Sequence, residues 1–342
     1  MSFFPPILLH YYITYRCNCK CTFCDIWRID ELCHVGDAGI EEVRRNLTDA
    51  RKLGTRFVDF TGGEPLLHPQ LPDMLEQAKN LGFKTSITTN CILYPQRAKE
   101  LAGSVDFLHF SIDSSDSHQH DSIRSAKAFS RVGESIETAK RLGEVPDLLF
   151  TVTEENMDSL LPLAEMAQKL RWMLIVNPVF SHQLKRGLNA EILDRLEAVA
   201  NAPYVYLNKA FLRLRRNGGN SINKPRCRAV TSTIVVSPEN EMLLPCFHFA
   251  QSKLPINGSL LRARKSKECN AFEARQGRFA FCQGCTLNCY FDPSFAYKLD
   301  RYFYESLAAK AKYSWYKYAL RRVSARQSRN EALEGFDIGK IG

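Results

Sequence analysis

The sequence predicts an α/β fold: a mostly parallel sheet flanked by crossover helices, then a smaller cysteine-rich region and a terminal helix. Three observations predict it. Strand-like and helix-like segments alternate about six times up to residue 200, the rhythm of parallel strands joined by helices on the outside of the sheet. That rhythm then breaks into a mixed stretch that holds the later cysteines. Finally, 45% of the 342 residues are apolar and 24% are charged, which suits a substantial core and excludes a disordered tail, a collagen-like fibre or a coiled coil.

Taken in order, residues 7–14 are rich in β-formers and run directly into the first cysteines. Residues 40–53 read as a helix, with Ile40, Val43, Leu47, Ala50 and Leu53 on one face. Residues 56–61 are a strand ending at Gly62-Gly63, and 71–81 repeat the helical stripe through Met74, Leu75 and Ala78. A strand (84–89), a helix (95–102), a strand (105–112) and a helix (130–142) follow. A strand (148–152), a helix (157–170) and a strand (171–176) complete the alternation. Beyond residue 180 come a helix over 190–200 and a breaker stretch from Asn217 to Asn220. Strands at 231–236 and 241–244 are joined across Ser237-Pro238-Glu239-Asn240 as a hairpin.

Forty-six Lys and Arg against 37 Asp and Glu leave a net charge of +9, which favours anionic ligands or surfaces without establishing nucleic-acid binding. No apolar run approaches the roughly 18 residues that a membrane-spanning helix needs. The apolar start at residues 3–9 lacks a basic leading region and a cleavage site, which argues against a secretory signal and for the cytoplasm. In a reducing compartment, twelve cysteines point to metal or redox chemistry before disulfides. Cys17, Cys19, Cys21, Cys24 and Cys33 crowd the beginning, whereas Cys227, Cys246, Cys269, Cys282, Cys285 and Cys289 lie late. Two separate metal-binding regions are the simplest reading.

In α/β folds of this kind, ligand chemistry gathers at the carboxyl ends of the strands. Cys17 to Cys24 follow the first strand, Gly62 to Pro65 the second, Asn90 the third and Asp113 the fourth. Cys17, Cys21 and Cys24 give Cys-x3-Cys-x2-Cys, with Cys19 a bystander. Three thiolates on a tight loop can hold three irons of a [4Fe–4S] cluster and leave the fourth open to a small molecule. A structural zinc knuckle is the alternative on spacing alone. Two glycines let the backbone approach a ligand, and Glu64 offers a carboxylate to an ammonium group; a plain strand-to-loop turn is the bland reading. Asp113 could equally cap the segment that follows it.

Together, Cys17, Cys21 and Cys24, with Phe23 before the last, resemble the signature of the radical S-adenosylmethionine (SAM) superfamily. Gly62-Gly63-Glu64-Pro65 is similar to the family's motif for the methionine amino group. Ser111-Ile112-Asp113 resembles the segment placed near the ribose, and Asn90 sits where a polar SAM contact occurs. The family's fifth-strand glycine motif is not evident near 148–154. The resemblance covers roughly residues 7–180. It implies a partial (β/α)6 TIM-like barrel over 1–200, holding a [4Fe–4S] cluster and SAM.

The layout of Cys227, a hairpin, Pro245-Cys246 and Cys282-x2-Cys285 is similar to the twitch domain, the shortened form of the SPASM domain of radical SAM enzymes. The expected domains are thus the barrel, a twitch-like unit over 201–293, and a basic aromatic helix and tail over 294–342. The resemblance implies a second, auxiliary [4Fe–4S] cluster on Cys227, Cys246, Cys282 and Cys285, with Cys289 as a substitute ligand. A zinc ribbon is the alternative. Cys33, Cys91 and Cys269 read as ordinary small side chains.

The implied chemistry is reductive cleavage of SAM to a 5′-deoxyadenosyl radical, hydrogen abstraction, and oxidation of a peptide or small molecule with the auxiliary cluster's help. A reductant such as flavodoxin or ferredoxin is the implied partner. The rival from another class is a non-enzymatic iron–sulfur or zinc protein. His68, His118 and His120 fall in loops and His109 in the fourth strand; none is assigned a role. Residues 294–326 interleave Lys298, Arg301, Lys310, Lys312, Lys317, Arg321, Arg322 and Arg326 with nine aromatics. Such a helix suits a membrane interface and a lipid-linked substrate. The alternative is a terminal helix with its aromatics on the core and its lysines in solvent. Nucleic-acid binding is the weakest reading of that segment.

Overall fold

The computed structural model describes residues 5–180 and 188–320. Arg321, Arg322 and Arg326 of the expected basic tail lie outside them. Seven parallel strands form the barrel sheet: β1 (Leu8–Thr14), β2 (Phe57–Gly62), β3 (Lys84–Thr89), β4 (Phe107–Ser111), β5 (Asp147–Val152), β6 (Leu174–Pro178) and β7 (Val205–Tyr206). Crossover helices join them: α1 (Ile40–Lys52), α2 (Leu71–Asn80), α3 (Tyr94–Leu101), α4 (Ser117–Arg124), α5 (Phe129–Arg141), α6 (Leu160–Leu170) and α7 (Ala190–Val199). Beyond them lie α8 (Lys209–Arg216), β8 (Thr233–Val236), β9 (Glu241–Leu244), β10 (Ser252–Pro255), α9 (Leu260–Arg264), α10 (Lys267–Arg275), α11 (Asn288–Ser294) and α12 (Arg301–Ser314).

Strand alternation sets the core. Leu9, Tyr11 and Ile13 of β1, Val58 and Phe60 of β2, and Leu148, Phe150 and Val152 of β5 are buried against Val43, Leu47 and Ala50 of α1 and their counterparts on the other helices. Each such side chain contributes roughly 1.5–3 kcal/mol on burial. The alternate positions carry polar groups: His10 pairs with Asp59 across β1 and β2 (3.1 Å), and His109 meets Thr88 across β4 and β3 (3.2 Å).

The hairpin of β8 and β9 is antiparallel, but β8 also pairs in parallel with β1, from Leu8 with Thr233 to Tyr11 with Val236. Among the described residues the sheet is therefore one ten-stranded unit in the order β10-β9-β8-β1-β2-β3-β4-β5-β6-β7. Ile234, Met242, Leu244 and Leu260 share the core of β1 and α1, so the sheet runs on across residue 200.

Several elements depart from the sequence reading, among them the helices α8 to α11 of its mixed region. His118 and His120 sit on α4 and not in a loop; the segment Ser-His-Gln-His-Asp-Ser-Ile-Arg has no apolar stripe to reveal its period. Its start is fixed by Asp116, whose side chain accepts the Gln119 amide. The strands β7 and β10 were not foreseen either: β7 has two residues, too few to show a period, and β10 ends in Pro255.

The terminal helix α12, continued by a π-turn over Trp315–Ala319, packs on α8 and β7. Glu305 is bidentate with Arg213, Ser306 bonds Asn208 at 3.0 Å, and the rings of Tyr313 and Tyr316 meet Tyr206 and Tyr204. Two of the lysines expected in solvent turn inward. Lys312 donates to the Ala200 and Ala202 carbonyls (2.8 and 2.7 Å), and Lys317 is buried against Asp147 (2.6 Å), which also accepts the Tyr313 hydroxyl. No helix of the described residues is long and apolar enough to cross a membrane.

Candidate active site

The loop after β1 is clamped from two sides. On one side the Gly63 amide donates to Thr14 O (2.9 Å) and the Glu64 amide to Arg16 O (2.8 Å). A Cβ at Gly62 would lie 1.8 Å from Thr14 O, and one at Gly63 2.1 Å from Arg16 O. These glycines therefore let the end of β2 lie against the chain entering Cys17. The sequence reading gave that close approach to a ligand; the backbone of the cysteine loop occupies it. On the other side, Lys20 N donates to Arg124 O (3.0 Å) and Thr22 N to Ile123 O (2.9 Å), at the end of α4.

Within the loop, the Cys19 amide reaches Cys17 Sγ (3.4 Å), and the Cys19 thiol lies beside both Cys17 and Cys21. Hydrogen bonding with Cys19 lowers Cys17 and brings Cys21 down to about 7, while burial pushes Cys24 up to about 11. Cys19, set aside as a bystander, thus sits between two of the three candidate ligands. Soft thiol donors on one short loop are the donor set that iron–sulfur clusters take.

The neighbouring strand ends converge on this loop. Glu64 is buried, accepting the Leu66 amide (3.1 Å) and the Asn90 amide (2.8 Å), and desolvation raises its pKa. Asn90 Nδ2 donates to Asn18 Oδ1 (2.6 Å) and lies 4.0 Å from Cys17 Sγ. Ser111 ends β4 and is buried. Asp113 is wholly buried, with Oδ2 taken by Arg124 (2.6 Å to Nε) and Oδ1 by the Thr151 amide (3.2 Å). It does not cap the next segment; Asp116 is the cap. The Arg124 guanidinium lies 5.9 Å over the Phe23 ring, beside Cys21 and Cys19. Arg124 and Asn18 were missed by the sequence reading, and the Asp116 cap three residues before Gln119 was the signal that could have located α4 and its final arginine.

The later cysteines also converge. Cys227, Cys246, Cys282 and Cys285 line one small cavity of about 20 Å³, otherwise walled mainly by apolar groups such as Leu287 and Phe291. Cys289 is partly buried beside it on α11, packed against the cluster of Tyr12, Tyr290 and Cys246, and does not line it. Burial raises all four lining thiols, Cys285 to about 11. Buried Asn220 scaffolds the cavity: its side chain donates to Gly277 O (2.9 Å) and Cys282 O (3.1 Å) and accepts the Arg226 and Cys227 amides, while its own amide donates to Cys285 O. A Cβ at Gly219 would lie 2.3 Å from Gly284 O, so the breaker stretch serves a close backbone crossing. Half-buried Arg215 ties this region to the barrel, bonding Asn288 Oδ1 and Pro178 O (both 3.0 Å). Phe247, next to Cys246, stacks on Tyr12 of β1 at 4.2 Å. Among the described residues, no group of three or more His, Cys, Asp or Glu is arranged to hold a single metal ion.

Residues 11–167, which contain the first loop and every strand end around it, match the Radical SAM superfamily. The chain carries a radical SAM domain. It is 31% identical over 164 residues to a probable GTP 3′,8-cyclase of Saccharolobus solfataricus, covering 46% of this chain and 52% of that protein. It is 32% identical over 136 residues to the corresponding protein of Methanococcus maripaludis, covering 39% of this chain and 45% of that one. The chain thus spans about half the length of the curated relatives it matches. Streptococcus suis SuiB bound to the precursor peptide SuiA shares the fold at a TM-score of 0.64 and 18% identity, over 86% of this chain and 74% of SuiB. The enzyme anSMEcpe with bound AdoMet shares it at 0.64 and 15%, over 92% of this chain and 99% of its own. Both likenesses cover far more of this chain than residues 11–167, so the likeness in fold is not confined to the barrel.

Proposed function

We propose that this protein is a radical SAM enzyme that oxidises a peptide or small molecule with the help of an auxiliary [4Fe–4S] cluster. One observation carries the reading: Cys17, Cys21 and Cys24 lie on a loop clamped between the Gly62-Gly63-Glu64 turn and the end of α4. Cys17, Cys21 and Cys24 would hold the cluster, which would supply the electron for reductive cleavage of SAM and so the radical chemistry that takes a hydrogen from the substrate. Three protein thiolates leave one iron position for the amino-acid end of SAM. Glu64 keeps lone pairs beyond those used by its two amide donors, enough to receive an ammonium group. Asn90 positions the loop through Asn18, and Asp113 acts through Arg124, whose charge it holds beside Cys21. Ser111 and Pro65 frame the same strand ends.

The second cavity would hold the auxiliary cluster on Cys227, Cys246, Cys282 and Cys285, with residues 201–293 as a twitch-like unit and Cys289 in reserve. Its walls are mainly apolar. All twelve cysteines are free thiols, which suits a cytoplasmic enzyme served by a flavodoxin or ferredoxin. A peptide substrate is favoured by SuiB, whose structure holds its precursor peptide, and by anSMEcpe, solved with a peptide as well. A small-molecule substrate is favoured by the sequence likeness to GTP cyclases. Anaerobically reconstituted protein should bind about eight irons per chain and form 5′-deoxyadenosine from SAM under reduction. The Cys21→Ala variant should lose 5′-deoxyadenosine formation and about half the iron. Wild-type protein with about four irons would remove the auxiliary cluster, and absence of SAM cleavage would remove the enzyme.

A further inference from the structure

The outward face of α12 inverts the usual order of a surface helix, which turns its charges to water and its apolar residues to the core. Tyr304, Leu307, Ala308, Ala311 and Trp315 are exposed at helical spacing, and Tyr318 in the π-turn extends the row. The four large side chains are 42–60% exposed, and Leu299 just before the helix is 74% exposed. No charged residue interrupts this row, because the charges of the helix are spent elsewhere. Glu305 is held by Arg213, Lys310 by Ser306 and Asp292, Lys312 by two carbonyls, and Lys317 by Asp147.

We propose that this face docks the protein on an anionic phospholipid bilayer. Three of its large residues are Tyr or Trp, with apolar bodies and polar tips, the side chains that settle at the headgroup level of a membrane. The rim is cationic, with Lys298 exposed and Arg301, which shares Glu305 with Arg213, 73% exposed at the start of the helix. In the sequence after Leu320, Arg321, Arg322, Arg326 and Arg329 precede the first acid, Glu331, and the whole chain carries +9. Those charges complement an anionic leaflet. A second copy would instead bring an identical cationic rim against this one.

The test is cosedimentation of the full-length, cluster-reconstituted protein with vesicles of phosphatidylcholine alone or of phosphatidylcholine with phosphatidylglycerol. The expected result is binding to the anionic vesicles, at least tenfold weaker binding to the neutral ones, and release by high salt. Leu307→Glu with Trp315→Glu should weaken anionic-vesicle binding at least tenfold while the far-ultraviolet circular dichroism and the iron content stay unchanged. Failure to bind anionic vesicles, or equal binding by the double variant, overturns the proposal. So does wild-type self-association that the double variant abolishes without any vesicle binding. Because none of these readouts uses SAM cleavage, the outcome is independent of the enzymatic reading.

Discussion

At Asn220 one carboxamide reaches the segments that bring Cys227, Cys282 and Cys285 to their cavity. Substituting Ala would strand two buried carbonyls and two amides, each costing about 1–3 kcal/mol when left unpaired. Asn220→Ala should therefore lower the unfolding free energy by about 3 kcal/mol or more and halve the iron content. SAM cleavage at the first site should persist, because no contact of Asn220 touches the Cys17 loop. Urea unfolding and iron analysis check this; a variant with full iron content would show that the cavity does not need this scaffold. The turn-forming character of residues 217–220 was legible from composition. The role of Asn220 was not, since its carbonyl partners lie 57 and 62 residues away along the chain. Gly62 and Gly63 illustrate the same limit: the need for glycine was readable, but not that the crowding atom belongs to Arg16 or Thr14.

Among the elements, α4 does most to hold the first loop, and its stability depends on proton uptake. His120 is buried, with Nδ1 accepting the Asp113 amide (3.1 Å), so the fold requires a neutral ring. Burial pushes its pKa down to about 4. Below pH 6.5 the unfolded chain takes up a proton that the folded one refuses until about pH 4. Stability present above pH 6.5 should thus be lost as the pH falls through that window, by on the order of 3 kcal/mol. Urea midpoints at pH 7, 5.5 and 4.5 should fall more steeply for wild type than for His120→Asn; parallel slopes would assign the acid sensitivity to other groups. Helices with apolar stripes were legible to within two residues, as α1, α2 and α5 show, and β3 was legible at both ends. Polar α4 was hidden because its stability comes from a cap, a buried histidine and an ion pair with Asp113, none of which leaves a periodic trace.

Across the whole molecule, the chain's far end is locked to the barrel by the pair of Lys317 and Asp147, whose side chains are 6% and 1% exposed. Lys317→Met would leave the Asp147 charge buried with only the Tyr313 hydroxyl and a neighbouring His109 for company. Removing one partner of a buried pair costs about 3–5 kcal/mol, so the thermal midpoint should drop sharply. Adding Asp147→Asn to that variant should restore part of the loss, and a single variant as stable as wild type would show that the terminal helix is not anchored there. The parallel barrel was readable from its alternation, whereas the union of β1 with β8 was not, because nothing in Leu8–Thr14 announces a partner more than two hundred residues on. That union has a practical consequence. A fragment cut before the hairpin would bare one flank of β1 from Leu8 to Tyr11, a mostly apolar row of amides and carbonyls seeking a new neighbour, and its natural product would be aggregate before it was ever a free-standing barrel.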